Sequence, residues 1–166
     1  YLSIFKEKIP NTVIVIGFEH RQTVTKNSLL GEGEWETPLG NLIVDNKLAK
    51  KILENSDIFV ADNSAFIGRQ ENSLELQMPF IKFFAGKNDV RILPIKIVSH
   101  DFKTIDLISD NIAQVIKSSN SDIVVVASSD LYHEDVYNKE DLKKFKEKDE
   151  IVIDVIINLK TAKIGS

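Results

Sequence analysis

The sequence predicts an α/β layered fold, and three observations predict it. Strand-like and helix-like runs alternate along the chain. Two apolar runs, residues 12–17 and 123–127, read as strands buried on both faces, as in a parallel sheet. Glycine and proline are scarce, at seven and four, which leaves little room for long flexible connections. At 166 residues the chain is one domain by length, or a large part of one, and it can bury a real core. It opens on Tyr1 and closes on Gly165-Ser166, which reads as a single α/β domain over residues 1–166, incomplete at both ends.

A helix begins the chain at Leu2-Ser3-Ile4-Phe5-Lys6. The first strand, residues 12–17, carries Val13, Ile14, Val15 and Ile16 in succession. Residues 21–36 form a polar, glycine-containing stretch, long for a connection, and long loops near a strand end are often functional. Thr37-Pro38-Leu39-Gly40 reads as a turn and residues 41–44 as a short strand. Asp45 is placed to cap a helix over 46–55 whose apolar stripe is Leu48, Ala49, Ile52 and Leu53. Residues 58–61 read as a short strand. Residues 71–86 read as mainly helical, with Pro79 either kinking the helix or starting its second half, and Gly86 ending it. Residues 90–98 are the next strand, in which Pro94 points to an edge position or a bulge. Ile105, Ile108, Ile112 and Ile116 make an amphipathic helix of 104–118. Residues 123–127 read as the most buried strand. A last helix begins near Lys139 and runs to about Leu159, with Ile153, Ile156 and Ile157 on its inner face.

Composition narrows the function. The net charge is −4, so the chain as a whole is not built for nucleic acid or for an anionic lipid surface. The basic run Lys143-Lys144-Phe145-Lys146-Glu147-Lys148 is interrupted by acid and reads as a solvated helix face. With no cysteine, the chain has no disulfide framework, no thiolate nucleophile and no cysteine-based metal site. That fits a reducing, cytoplasmic setting. No apolar run is long enough to span a membrane, and no signal-peptide pattern is present. The glycine-rich phosphate loops, the nucleophile elbow and the HExxH zinc motif are also missing.

All three histidines lie just past a strand-like run: His20, His100 and His133. If those strands are parallel, their C-terminal ends share one sheet edge, where ligands of open α/β folds bind. The sharpest local cluster is Ser128-Ser129-Asp130-Leu131-Tyr132-His133. In a tight turn Asp130 and His133 can share a metal or act as an acid–base pair, since a carboxylate raises the basicity of an imidazole and fixes its tautomer. The alternative is a helix cap with His133 simply exposed. Glu19 and His20 are adjacent, so an extended backbone points only one of them at a common site. His100, in Ser99-His100-Asp101-Phe102, resembles the approach to a helix. Glu71 and Glu75 share a helical face, which is either solvated or offers a second-shell partner or base to the histidine edge.

Several segments, in order, resemble the Memo family: Ile16-Gly17-Phe18-Glu19-His20, Thr37-Pro38-Leu39-Gly40-Asn41-Leu42-Ile43-Val44-Asp45, Glu71-Asn72-Ser73-Leu74-Glu75-Leu76-Gln77-Met78-Pro79-Phe80 and Ser128-Ser129-Asp130-Leu131-Tyr132-His133. The resemblance covers nearly all of this chain but only the middle of a typical member. It implies kinship with extradiol ring-cleaving dioxygenases and a three-layer αβα sandwich around a mixed, mostly parallel sheet, with a metal-capable pocket at the strand ends. It aligns His20 with a metal-ligating histidine, Asp130 and His133 with the pocket's aspartate and histidine, and Glu75 with an acidic residue of the helical motif. It implies Fe(II), with copper or zinc as alternatives, a small-molecule substrate and a radical-SAM protein partner.

The family's early His-Ala-Gly-Tyr segment and a later cysteine have no counterpart in this chain, so the residues present do not assemble a full redox iron site. Glu19 stands where the family tends to have Ser or Asn, and Asn72 where it often has His. Three expectations follow: a metal-dependent oxidoreductase, a non-catalytic module that binds a small ligand or protein segment in the same pocket, or a structural role with incidental histidines.

Overall fold

The computed structural model describes residues 2–20, 24–67, 72–99, 101–132 and 134–158. The chain divides into two compact units, Tyr1–Ser128 and Ser129–Ser166. In the first, the elements are α1 (Leu2–Glu7), β1 (Thr12–Phe18), β2 (Ser28–Leu29), β3 (Glu34–Trp35), β4 (Leu42–Ile43), α2 (Asn46–Asn55), β5 (Val60–Ala61), a short 3₁₀ helix (Asn63–Phe66), α3 (Asn72–Glu75), α4 (Met78–Ala85), β6 (Arg91–Ile97), α5 (Phe102–Lys117) and β7 (Ile123–Ala127).

The sheet order is β5-β2-β6-β1-β7. β1 runs parallel to both β6 and β7, and β2 is parallel to β5 but antiparallel to β6. The sheet is mixed and mostly parallel, as the resemblance implies. Strand alternation sends successive β1 residues to opposite faces. Val13 and Val15 join Leu74, Met78 and Ile81 of α3 and α4. Ile14 joins Ile52 of α2 and Ile108 and Ile112 of α5. Helices therefore cover both faces, which is the three-layer arrangement. Each such fully buried aliphatic side chain contributes about 1.5–3 kcal/mol.

Asp45 caps α2 and ties it to the sheet. Its Oδ1 accepts from the Leu48 N–H at 3.0 Å, and its Oδ2 accepts from the Thr12 hydroxyl at 2.6 Å. Asp45→Ala removes both bonds and is expected to cost about 1–2 kcal/mol in urea denaturation.

At the start of α5, Asp101 accepts from the Ser99 hydroxyl and from the Thr104 N–H. The Ser99 hydroxyl first, and the Thr104 amide next, hold its carboxyl down to about 2. A carboxyl depressed on folding stabilises fully above its ordinary value, and that stabilisation fades as pH falls through the depressed one. Thermal melts from about pH 4 to about pH 2 should therefore fall less steeply in Asp101→Asn, which still caps but does not titrate.

In the first unit, three elements differ from expectation. The stretch 21–36, read as one connection, contains β2 and β3, although Arg21, Gln22 and Thr23 lie outside the described residues. Pro94 lies in an interior strand, not at an edge. It is tolerated because its carbonyl faces β2 and accepts from the Leu30 N–H at 3.0 Å. A proline there omits only the reciprocal bond, just where β2 ends, and leaves the β1 ladder intact. β7, expected to be the most buried strand, is at the sheet edge, and Val125 is 43% exposed. Pro79 occupies the first turn of α4, so it starts the second half of a broken helix, and Gly86 ends it at φ 58°.

The second unit holds α6 (Lys139–Ile157), whose N-terminus is capped by Asn138 accepting from the Glu140 and Asp141 N–H groups. Tyr132 packs against Phe145 at 4.7 Å, and Lys148 donates to its hydroxyl at 2.7 Å. Ile153, Ile156 and Ile157 are exposed, and Val155 is the buried residue of this helix, so the expected inner face is corrected. The expected helix end at Leu159 lies outside the described residues. Among the described residues, no helix is long and apolar enough to cross a membrane.

Candidate functional site

The parallel register puts the C-terminal ends of β1, β6 and β7 on one edge. β2 runs the other way, so its first residue, Ser28, stands opposite Lys96 near the end of β6. His20 follows β1 at this edge. It is exposed, and its ring meets the Phe18 ring edge-on with centroids 5.7 Å apart. His100, His133 and Glu71 lie outside the described residues, and Asp130 belongs to the second unit. Among the described residues, no group of three or more His, Cys, Asp or Glu could hold a metal ion.

The other member of the adjacent pair goes inward. Val13, Val15, Gly17 and Glu19 share a strand face by parity. Gly17 is the close approach on that face: a Cβ there would collide with the Ser73 hydroxyl and stand 2.9 Å from Leu74 Cγ. Its missing side chain lets α3 lie against the strand. Two residues on, Glu19 Oε2 meets Lys96 Nζ at 3.1 Å, with side chains 3% and 4% exposed. Lys96 Nζ also donates to the Ala65 carbonyl at 2.6 Å and lies 5.7 Å from the centre of the Phe66 ring. Charges this deeply buried persist only when paired and hydrogen-bonded. Apart from Arg91 at its start, β6 is otherwise apolar around Lys96, which lies at the same parity as Ile92 and Pro94.

Lys96 borders a cavity of about 440 Å³. Leu74 and Glu75 of α3 form one side, and Trp35 of β3 and Phe66 of the 3₁₀ helix form an aromatic side, their rings 6.4 Å apart and close to perpendicular. Lys26, just before β2, also lines it. The volume lies within the range of small-molecule sites, and polar groups converging on an apolar wall are their usual make-up. Of the sequence-predicted site residues that are described, Glu75 lines this cavity. Lys96, Trp35 and Phe66 were not anticipated. The available signal was a lysine inside an apolar strand and a glutamate at the matching parity of another, which becomes a pair only once β1 and β6 are known to be neighbours. A second cavity, about 570 Å³, lies at the opposite edge, by Thr12, Arg91 and Ile123 at the strand starts.

Comparison with known proteins matches residues 1–165 to the family described as Memo-like protein. A MEMO1 family protein of Desulfurococcus amylolyticus is 35% identical over 97% of this chain and 54% of its own length. One from Sulfolobus acidocaldarius is 33% identical over 96% of this chain and 53% of its own. One from Pyrococcus furiosus is 36% identical over 80% and 46%. The chain spans about half the length of the curated relatives it matches.

Proposed function

The chain belongs to the Memo family, and from that premise we propose that it binds a small organic molecule in the cavity beside Lys96. The observation that carries this reading is the buried Lys96–Glu19 pair at the wall of a cavity that also offers Glu75 and two aromatic rings. A buried ion pair is a poor source of stability compared with apolar packing, so its place beside an open cavity favours a role in recognition.

Trp35 is the single tryptophan of the chain and lines this cavity, so its emission is a built-in reporter. A set of small, uncharged aromatic and aliphatic fragments should include members that shift Trp35 emission saturably, with matching heats by calorimetry. Heats that persist in Lys96→Met/Glu19→Leu, Leu74→Phe and Trp35→Ala, with no Trp35 response in the parent, would place binding elsewhere and overturn the reading.

A second reading is metal-dependent redox chemistry of the family type, with His20 and His133 as ligands, Asp130 as orienting carboxylate and Fe(II), copper or zinc as the ion. What favours it is His20, an exposed imidazole at the strand edge where ligands bind. The described donors do not by themselves make up a metal site, so no reaction step is built on the ion. Anaerobic purification followed by metal analysis tests it. Near-stoichiometric metal that falls severalfold in His20→Ala supports the reading, and background metal in both proteins counts against it.

A further inference from the structure

We propose that the ligand of the Lys96 cavity is an amino-acid-like zwitterion, a small molecule with an ammonium, a carboxylate and an apolar body; this rests on the cavity being a ligand site. The lining carries charge of both signs. An ammonium has three N–H groups, and Lys96 spends two of them, on Glu19 Oε2 and the Ala65 carbonyl. One N–H is left for an acceptor on a guest. Lys26 lines the same space and makes no ion pair among the described residues, and neither does Glu75.

The Lys96–Glu19 pair is neutral as a unit. Among the described lining residues, the charges open to a guest are therefore the Lys26 ammonium and the Glu75 carboxylate, with Asp62 adding a second carboxylate that already accepts from the Ser64 amide at 3.0 Å. A guest with a single charge satisfies one side and leaves the other to water. A guest with both answers Lys26 and the free Lys96 N–H with its carboxylate, and Glu75 with its ammonium. Trp35 and Phe66 supply the wall for the apolar body. A cavity of about 440 Å³ admits an amino acid with a large aliphatic side chain, with room for water. Lys26 and Glu75 are exposed, so the affinity is modest and falls with salt.

The test is a titration of the full chain with L-leucine, L-methionine and L-norvaline, each beside its amide (no carboxylate) and its N-acetyl derivative (no ammonium), read by Trp35 emission and by calorimetry. At least one free amino acid is expected to bind about tenfold or more tightly than both of its derivatives. Glu75→Gln should weaken the free amino acid severalfold and leave the N-acetyl derivative unchanged, whereas Lys26→Met should weaken the free amino acid and leave the amide unchanged. Both variants alter exposed side chains, so folding is expected to be intact, and circular dichroism checks it. Derivatives that bind as tightly as the free amino acids overturn the zwitterion and leave the cavity as a ligand site. Uncharged fragments that bind while none of the amino acids does have the same meaning. Silence from amino acids and fragments alike overturns both readings.

Discussion

Lys96→Met is expected to lower the stability of the protein by about 3–5 kcal/mol, because it removes one partner of a buried ion pair and leaves the other charge in place. Both side chains are almost fully enclosed, at 4% and 3% exposure, so water cannot screen or replace the lost ammonium. The Ala65 carbonyl loses its donor at the same time, which adds an unpaired acceptor. Urea denaturation followed by far-UV circular dichroism measures the loss. The companion variant Lys96→Met/Glu19→Leu should recover most of it, since well-packed apolar replacements of a buried pair are often neutral. A single variant within about 0.5 kcal/mol of the parent would show that the pair is solvated in solution. The double variant then isolates function from folding: it keeps the cavity but takes away the Lys96 donor, and should bind ligand more weakly at near-parent stability.

The fold was legible where the chain obeys a period. α2 is read over 46–55 and found there, because an Asp cap and an apolar stripe mark the same helix independently. β1 and β6 lie within a residue or two of their expected bounds because their apolar runs are long. What escaped has a physical cause. β2 and β3 are two residues each, too short to show alternation, and β2 is recruited by its neighbours rather than by its own composition. A proline in an interior strand is tolerable only beside a neighbour that ends there, and the length of β2 is a tertiary fact. Val125 reads as core from its side chain, yet β7 has a partner on one side only.

The candidate cavity was legible in part. The shared C-terminal edge of β1, β6 and β7 follows from the strand pattern, and Glu75 proved to line a cavity. The rule that adjacent residues in a strand diverge anticipated that only one of Glu19 and His20 turns inward. Which of them does depends on Lys96, far away in sequence, whose positive charge gives a buried carboxylate a partner. The aromatic wall is invisible in sequence for a similar reason. Trp35 comes from a two-residue strand and Phe66 from a single helical turn, and nothing local announces that they meet.

Gly17→Ala should cost about 1–3 kcal/mol, the usual penalty of forcing a methyl group into a filled space. It should also disturb the cavity, which an ordinary destabilising change need not do. The new Cβ would strike the Ser73 hydroxyl and stand 2.9 and 3.0 Å from two carbons of Leu74. Gly17 is not at a positive φ, so the penalty comes from crowding and not from backbone strain. Relief requires the Ser73 and Leu74 side chains, or α3 with them, to shift, and α3 carries Leu74 and Glu75 into the cavity wall. The folded variant should therefore show altered Trp35 emission before any denaturant is added. Gly33→Ala is the contrast. Its φ is +105° and a Cβ there meets nothing within 4 Å, so it strains the backbone without pushing on α3. Because Ser73 is the nearest obstruction, Ser73→Ala should rescue part of the Gly17→Ala loss, and the pair should be non-additive by at least about 0.5 kcal/mol. Strict additivity would mean that α3 does not rest on Gly17, and Glu75 would lose its fixed place beside the cavity.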